Sequence, residues 1–213
     1  MTSRPADPES RLSYWEGVHT DKPEDGVSWW QSVPGLSLDL VDRADLDLGL
    51  PVIDVGAGWS TLVDHLVELG HTDLTAIDLS MTALTTVRDR LGAAGSQVQL
   101  EVADVLDLDM GRRYALWHDR AVFHFLTEAD ERDDYRASLL RSLAPDGWFV
   151  VATFGPDGPL TCSGLPIVRY SHDELAAEFD TDFDVVATSG EDHRTPWGSS
   201  QQFTALLLRR RPR

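Results

Sequence analysis

The chain has 213 residues, a formal net charge of -18 at pH 7 and a hydrophobic fraction of 42%. This acidic surplus argues against nucleic-acid binding, because such binding needs cations that neutralise phosphates. It favours a cationic ligand or a basic protein partner, unless the charge serves only solubility. One cysteine cannot form an intrachain disulfide, and we find neither a secretory signal nor an apolar run of membrane-spanning length, so we expect a cytoplasmic protein without a membrane partner.

The first 45 residues carry a cluster of large aromatic side chains, Tyr14, Trp15, Trp29 and Trp30. Two interpretations stay open for this segment. The rings either pack into the core and hold the segment on the domain, or they form a lid whose faces embrace a cationic ligand. We expect residues 1–45 to form such a segment, with residues 1–10 frayed, and residues 46–213 to form the main part of a single domain.

Strand and helix patterns alternate from residue 51 onward. The predicted strands are "PVIDVGAG", "DLTAIDLS", "VQLEVADV", "RYALWHD" and "WFVVATF", and the helices between them include "STLVDHLVELG" and "MTALTTVRDRLG". The last two strands, "FDVVATSGE" and "QFTALLLRR", have no helix between them and should therefore pair as an antiparallel hairpin. The pattern predicts an α/β fold: a Rossmann-like, mostly parallel seven-stranded sheet with helices on both faces and a C-terminal antiparallel hairpin.

A glycine loop follows the first predicted strand, in "VIDVGAGWS". Gly56 and Gly58 allow a tight turn and the close approach of a ligand. A dinucleotide site would need a third glycine where Thr61 stands. Asp54 ends the strand, and its carboxylate would repel a pyrophosphate but suit a ligand with an ammonium group. These features disfavour a nicotinamide-dependent reductase.

Two further acids end the next two predicted strands. Asp78 lies about twenty residues past the glycine loop, where an acid binds the two hydroxyls of a ribose. Asp104 ends the third strand, where it could meet an adenine amino group. An adenine, a ribose and an amino acid without phosphate together describe S-adenosylmethionine. The alternative interpretation makes each aspartate a helix N-cap, and the coincidence of three at successive strand ends disfavours it.

These motifs carry a family resemblance. "DVGAG", "IDLS" and "ADVLDL" resemble motifs of the class I S-adenosylmethionine-dependent methyltransferases. "WHDRAVFHFL" and "HRTPWGSSQQF" resemble a bacterial subgroup of that family whose substrates are mostly unassigned. The resemblance implies S-adenosylmethionine as the cofactor. It also implies the cofactor contacts, which are Asp54, Gly56 and Gly58 for the methionine end, Asp78 with Leu79 for the ribose, and Asp104 with Val105 for the adenine.

The fourth predicted strand ends in "WHDRAVFHFL", which holds the candidate catalytic residues. Methyl transfer is an in-line displacement, so the protein must align the acceptor and, for some acceptors, remove a proton. By the resemblance, His118 and Asp119 lie beside the methyl group, so we expect both to act in catalysis and His118 also to contact the cofactor. In the alternative interpretation Asp119 and Arg120 form a structural ion pair. We expect His124 to be a buried imidazole with satisfied hydrogen bonds.

Seven residues are candidates for binding the methyl acceptor: Trp15, Trp29, Trp30, Arg120, Phe123, Cys162 and His193. Cys162 has two interpretations, a small buried hydrophobe or a sulfur that contacts a soft acceptor. We expect no metal, because no second cysteine or close histidine cluster provides a ligand spacing.

We therefore expect S-adenosylmethionine-dependent methyl transfer to a small molecule, at a nitrogen, oxygen, sulfur or other chalcogen atom, by a monomer or homodimer. Two alternatives stay open. The first is a protein lysine methyltransferase that acts on a basic protein, which the acidic charge and a loose resemblance of the N-terminal segment to lysine-methylating relatives favour. The second is a cofactor-binding regulator without catalytic activity.

Overall fold

The computed structural model of the protein describes residues 7–212. The helices in this range are α1 (Pro8–Thr20), α2 (Gly35–Arg43), α3 (Leu62–Glu68), α4 (Met81–Leu91), α5 (Ala129–Ser142) and α6 (His172–Ala177). The strands are β1 (Val52–Val55), β2 (Leu74–Asp78), β3 (Val98–Val102), β4 (Tyr114–Arg120), β5 (Leu143–Phe154), β6 (Thr161–Cys162), β7 (Leu165–Pro166), β8 (Phe183–Arg194) and β9 (Ser200–Arg210).

Seven of these strands form one sheet in the order β3-β2-β1-β4-β5-β9-β8, and β6 pairs with β7 in a separate small hairpin. The pairs among β3, β2, β1, β4 and β5 are parallel, whereas β9 runs antiparallel to both β5 and β8. The predicted fold class is therefore confirmed, including the terminal antiparallel pair. Within residues 7–212, no helix is both long enough and apolar enough to cross a bilayer.

Helices cover both faces of the sheet, so its central strands are buried on both sides. On one face, α2 and α3 pack on a core that includes Leu40, Leu62 and Leu116. On the other face, α5 and α6 pack on a core that includes Trp117 and Tyr135. Successive residues of β4 therefore point alternately into the two cores, as the two-residue period of a strand requires.

Helix α1 was not predicted, because its sequence has no apolar stripe of helical period. Polar groups fix its start instead. Asp7 Oδ1 accepts a hydrogen bond from Ser10 N at 2.9 Å, and Pro8 stands in the first turn. Residues 7–10, which we expected to fray, thus belong to the start of this helix, and the expectation for residues 1–6 falls outside the described range.

Two irregular segments also differ from the sequence-based expectation. Residues 145–147, which precede the predicted strand "WFVVATF", lie inside β5 at a bulge, where the register with β4 shifts between Tyr114 and Leu116. The last hairpin is longer than expected, because β8 runs to Arg194 and β9 begins at Ser200.

The loop after β1 follows a left-handed backbone at Gly56 (φ 61°) and Gly58 (φ 50°). A Cβ atom placed on Gly56 would lie 2.1 Å from Cγ2 of Val122, a residue that follows β4. Glycine is required at position 56 for both reasons, the backbone angle and the close approach. The loop therefore rests directly on the end of β4.

We predict that Gly56→Ala lowers the free energy of unfolding by more than the about 1–2 kcal/mol that a left-handed backbone costs an alanine, because the overlap with Val122 adds to it. Urea unfolding followed by tryptophan fluorescence measures the change. Gly17→Ala in α1 is the matched control, since a Cβ there meets no atom within 4 Å and alanine favours the helix. Equal stability of Gly56→Ala and the wild type would contradict this role of the glycine.

Candidate active site

Two adjoining cavities lie at the carboxyl ends of β1, β2 and β4, where open α/β sheets bind ligands. The larger holds about 830 Å³ of empty space, part of it open to solvent, and the smaller about 410 Å³. They share Trp29, Gly56 and Arg120. Residues that line only the larger one include Arg11, Trp15, His19, Gly58, Asp78, Leu79, Asp104, Val105, Val122, Phe125 and Cys162, and those that line only the smaller one include Trp30, Asp54, Trp59 and His118.

Asp78, the last residue of β2, is buried against the glycine loop. Its Oδ2 accepts a hydrogen bond from Gly58 N and its Oδ1 accepts one from Ser80 N, both at 2.8 Å. Burial raises the pKa of this carboxyl, and the neighbouring His19 opposes that effect. The acid fixes the loop beside the larger cavity, and each carboxylate oxygen keeps a lone pair for a ligand hydroxyl.

Asp104, which follows β3, binds the N-terminal helix. Its Oδ2 accepts hydrogen bonds from Arg11 Nη2 at 2.6 Å and from Arg11 Nε at 2.9 Å. Its Oδ1 accepts one from Leu106 N at 3.0 Å. Both charged side chains are largely buried, so the pair is shielded from water. This contact holds α1 across the larger cavity, next to the apolar wall that Val105 provides.

Two further contacts hold α1 in place over the crevice, and we call this helix the roof. The Tyr14 hydroxyl donates to Ser163 O, in the turn between β6 and β7. On the other side, Glu16 accepts hydrogen bonds from Ser80 Oγ at 2.7 Å and from Thr82 N at 3.2 Å, at the start of α4. The roof is therefore tied to structures on both sides of the crevice.

The inner face of the roof presents Arg11, Trp15 and His19 to the larger cavity. His19 Nδ1 lies 2.9 Å from Trp15 O, whereas its Nε2 is buried and has no partner within the described chain. The Trp15 ring meets Trp29 and Phe125 edge to face, with centroid distances of 6.5 and 5.1 Å. Sequence reasoning missed Arg11, His19 and Phe125, although the four-residue spacing from Arg11 to His19 is the signature of one helix face.

His118 joins the smaller cavity through Asp54, its neighbour across the β1–β4 pair. Its Nδ1 lies 2.7 Å from Asp54 Oδ1, and its Nε2 lies 2.9 Å from Ser37 Oγ in α2. Both ring nitrogens therefore have partners. The remaining carboxylate oxygen, Asp54 Oδ2, is buried without a partner in the described chain. The arrangement makes His118 a residue that orients Asp54 rather than a free base.

The structure corrects the expectation for Asp119. Because it follows His118 in the strand, its side chain points to the opposite face, away from both cavities. Asp119 Oδ2 accepts hydrogen bonds from the Tyr135 hydroxyl at 2.6 Å and from Phe123 N at 3.2 Å, and its Oδ1 accepts one from Val122 N at 3.0 Å. Burial raises its pKa to about 6. Asp119 therefore fixes the turn after β4 and cannot touch a bound cofactor.

Arg120 points back to the cavity side and forms no ion pair with Asp119 in residues 7–212. Its Nη1 donates to Trp29 O at 3.1 Å, and its Cζ lies 4.4 Å from the centre of the Phe203 ring. Burial lowers its pKa to about 10, which leaves the guanidinium charged at neutral pH. Its Nε and Nη2 are buried and have no partner within the described chain.

The turn after β4 places its two central residues outside the cavities. Phe123, a candidate for acceptor binding, packs instead on the far side of the sheet against Tyr135 and Phe179, with ring centroids at 5.1 and 4.9 Å. His124 is buried, its Nδ1 accepts a hydrogen bond from Phe154 N at 3.3 Å, and burial lowers its pKa to about 3. Its Nε2 has no partner in the described chain, so its hydrogen bonds are only half satisfied.

Of the remaining candidates for acceptor binding, Cys162 and Trp30 each line one of the two cavities and His193 does not. Cys162 lines the larger cavity, and burial raises the pKa of its thiol to about 12. His193 lines neither cavity, and its Nε2 lies 2.7 Å from Ser28 O. Trp30 lines the smaller cavity, and so does Trp59. Sequence reasoning missed Trp59, although this residue directly follows the glycine loop. No group of three or more His, Cys, Asp and Glu side chains in the described part of the chain could hold a metal ion.

Comparisons with known proteins agree with this fold. A family model described as a methyltransferase domain matches residues 52–147. A methyltransferase structure from Anabaena variabilis has a TM-score of 0.76 at 16% identity, over 99% of this chain and 98% of that one. The 1,6-didemethyltoxoflavin-N1-methyltransferase of Burkholderia thailandensis has a TM-score of 0.72 at 20% identity, over 99% of this chain and 93% of that one. A structure solved in work on the conversion of a disulfide bond into a thioacetal group during echinomycin biosynthesis has a TM-score of 0.75 at 24% identity, over 94% and 93%. These identities establish a shared fold, and a comparison with curated proteins gave no match.

We predict a pH-dependent stability difference between the wild type and Asp119→Asn. The folded chain holds the Asp119 proton up to a pKa of about 6, whereas the unfolded chain loses it near the ordinary value of 3.8. Wild-type stability therefore contains a component that falls as pH rises through this window and is constant above it. The variant lacks this component, so its stability relative to the wild type should rise by about 1–3 kcal/mol between the two ends of the window.

Urea unfolding at a series of pH values from about 4 to 7 measures this difference. Asp119→Ala is the control for the hydrogen bonds. This variant leaves three buried donors without an acceptor, and we expect its free energy of unfolding to fall by about 2–3 kcal/mol. Parallel stability curves for the wild type and Asp119→Asn would show that the carboxyl titrates normally.

Proposed function

We propose that this chain is a class I S-adenosylmethionine-dependent methyltransferase, with S-adenosylmethionine as its cofactor, and that it methylates a small-molecule acceptor. The observation that carries the proposal is the roof. Polar contacts on both sides of the crevice hold α1 over the larger cavity, which leaves a covered space suited to a nucleoside and a small partner.

The residues present fit the adenosine part of the cofactor. In this proposal Asp78 accepts hydrogen bonds from the ribose hydroxyls and Asp104 accepts one from the adenine amino group. Leu79 and Val105 provide apolar surface for the rings. Gly58 has no side chain, and a Cβ there would lie 3.8 Å from Asp78 Oδ2, so the loop leaves the ribose position open.

The smaller cavity fits the amino-acid end of the cofactor. Asp54 Oδ2 is a buried acceptor without a partner in the described chain, which suits an ammonium group. The indole N–H groups of Trp30 and Trp59 are buried donors without a partner there, which suits a carboxylate. We propose that His118, through its bond to Asp54 Oδ1, holds the carboxylate in the orientation that receives the ammonium.

The reacting centre then falls where the two cavities meet, beside Trp29, Gly56 and Arg120. The bound cofactor supplies a methyl group that its sulfonium activates. Trp15 and Trp29 surround this point with aromatic surface, which stabilises a cation and keeps water out. The acceptor enters from the side of Cys162, whose protonated sulfur contributes packing rather than charge.

Two of the similar structures bear on the choice of acceptor. The Burkholderia protein was crystallised with 1,6-didemethyltoxoflavin and S-adenosylhomocysteine, and another similar structure is a glycopeptide N-methyltransferase. The acceptors that these two names give are a small molecule and a glycopeptide, which supports a small acceptor for this chain. A lysine on a basic protein is the second candidate, because the net charge of -18 favours a basic partner.

We predict that S-adenosylhomocysteine binds the folded protein with micromolar affinity, and that Asp78→Asn weakens this binding at least tenfold. The amide offers one acceptor atom where the carboxylate offers two, and the ribose needs both. Isothermal titration calorimetry measures the affinities. Asp89→Asn, an exposed change of the same chemistry on α4, is the control and should bind as the wild type does. No heat of binding at high micromolar ligand in a folded wild type would reject the function.

We predict that a cell lysate incubated with the protein and tritiated S-adenosylmethionine gains label in the small-molecule fraction. Scintillation counting after acid precipitation and gel separation measures the two fractions. Asp78→Asn serves as the background, since it should not hold the cofactor. Label that depends on the wild-type protein and appears in protein bands would instead support the lysine acceptor.

A further inference from the structure

The guanidinium of Arg120 lacks an acceptor for two of its three nitrogens. Nη1 donates to Trp29 O at 3.1 Å, but Nε and Nη2 have neither solvent contact nor a hydrogen-bond partner in the described chain. Burial of a charged donor without an acceptor destabilises a protein, because the group loses its hydrogen bonds to water and gains none in return. Because Arg120 lines both cavities, a ligand can supply the missing acceptor.

The guanidinium of Arg120 lies where the two cavities meet, one strand beyond the acids that fit the cofactor. The acids that fit the cofactor end β1 and β2 and follow β3, whereas Arg120 ends β4, on the other side of β1. Its Cζ lies over the ring of Phe203, a residue of β9 that pairs with β5. The amino-acid end of the cofactor has its own unpaired donors, Trp30 Nε1 and Trp59 Nε1.

The neighbouring acid does not satisfy Arg120. Glu191 of β8 contributes a charge that favours the ionised guanidinium, but no ion pair joins the two side chains in residues 7–212. Its Oε1 accepts a hydrogen bond from Gln31 Nε2 at 2.6 Å, and its Oε2 is buried without a partner in the described chain. The two free Arg120 donors are therefore open to an anionic ligand group.

Among residues 7–212, no general base lines the acceptor half of the crevice. His118 has both ring nitrogens bonded, and Asp119 faces the opposite side of the sheet. Cys162 is a neutral thiol. His19 Nε2 is free, but it lies beside Gly58 on the ribose side. An acceptor with an acidic O–H group that reacts here therefore has to bind with its proton already lost to solvent.

We propose that Arg120 binds the methyl acceptor as the delocalised anion of an acidic O–H group, a carboxylate, phenolate or enolate. This inference rests on the proposed function and names its substrate class. An oxygen lone pair of the anion forms the new bond to the methyl carbon while the carbon–sulfur bond breaks and leaves its electron pair on sulfur. An anion and a sulfonium thus become a neutral methyl ester or ether and a neutral thioether, and no proton moves during the transfer.

The test compares benzoate with benzamide, a neutral molecule of the same shape, as ligands of the protein saturated with S-adenosylhomocysteine. Tryptophan fluorescence follows both titrations. We expect benzoate to bind the wild type at least tenfold more tightly than benzamide, and Arg120→Met to lose this preference. Arg120→Lys should keep part of it. No preference for benzoate in the wild type, or an unchanged preference in Arg120→Met, would overturn the proposal.

A second measurement distinguishes the acceptor from the carboxylate of the cofactor. We expect Arg120→Met to bind S-adenosylhomocysteine within threefold of the wild type, whereas Trp59→Phe weakens it and leaves 5′-methylthioadenosine, which lacks the amino-acid end, unaffected. If Arg120→Met lost affinity tenfold for S-adenosylhomocysteine but not for 5′-methylthioadenosine, Arg120 would bind the cofactor. That result would overturn this inference and leave the proposed function intact. If the wild type binds neither nucleoside, both the function and the inference fail. If Arg120→Met does not fold, Arg120→Gln, which can still donate to Trp29 O, replaces it in both measurements.

Discussion

The alternation of side chains along β4 is the constraint on which the site depends. Helices cover both faces of this strand, so consecutive residues enter different cores. His118 and Arg120 therefore face the crevice, where one positions Asp54 and the other presents a charge to the ligand space. Asp119, between them, turns to the opposite face and holds the backbone of the next turn. The three consecutive polar residues of β4 thus have three different roles.

The acidic side chains in the crevice are also held in place by other parts of the chain. Each of the three strand-end acids has a fixed protein partner: His118 for Asp54, Gly58 N for Asp78, and Arg11 for Asp104. Such partners keep a carboxylate in one orientation before a ligand arrives, which lowers the ordering cost of binding. The crevice therefore combines fixed acceptors on the cofactor side with the fixed cation of Arg120 on the other side.

The sequence predicted the sheet, its terminal hairpin and the placement of three acids at successive strand ends, because alternating patterns and breakers are local signals. It could not predict the direction of Asp119, since a strand buried on both faces has no polar alternation to read. Helix α1 escaped detection because it packs through polar contacts rather than an apolar stripe. The Arg11–Asp104 pair joins residues 93 positions apart, and no local pattern reports such a contact.

The roof has a kinetic consequence. A ligand that fills the larger cavity would lie beneath α1, and we expect that helix to move when such a ligand enters or leaves. Movement requires the separation of Arg11 from Asp104, of Tyr14 from Ser163 and of Glu16 from the start of α4. Local opening of this helix, rather than the chemistry beneath it, would then set the residence time of the spent cofactor and with it the pace of repeated turnover.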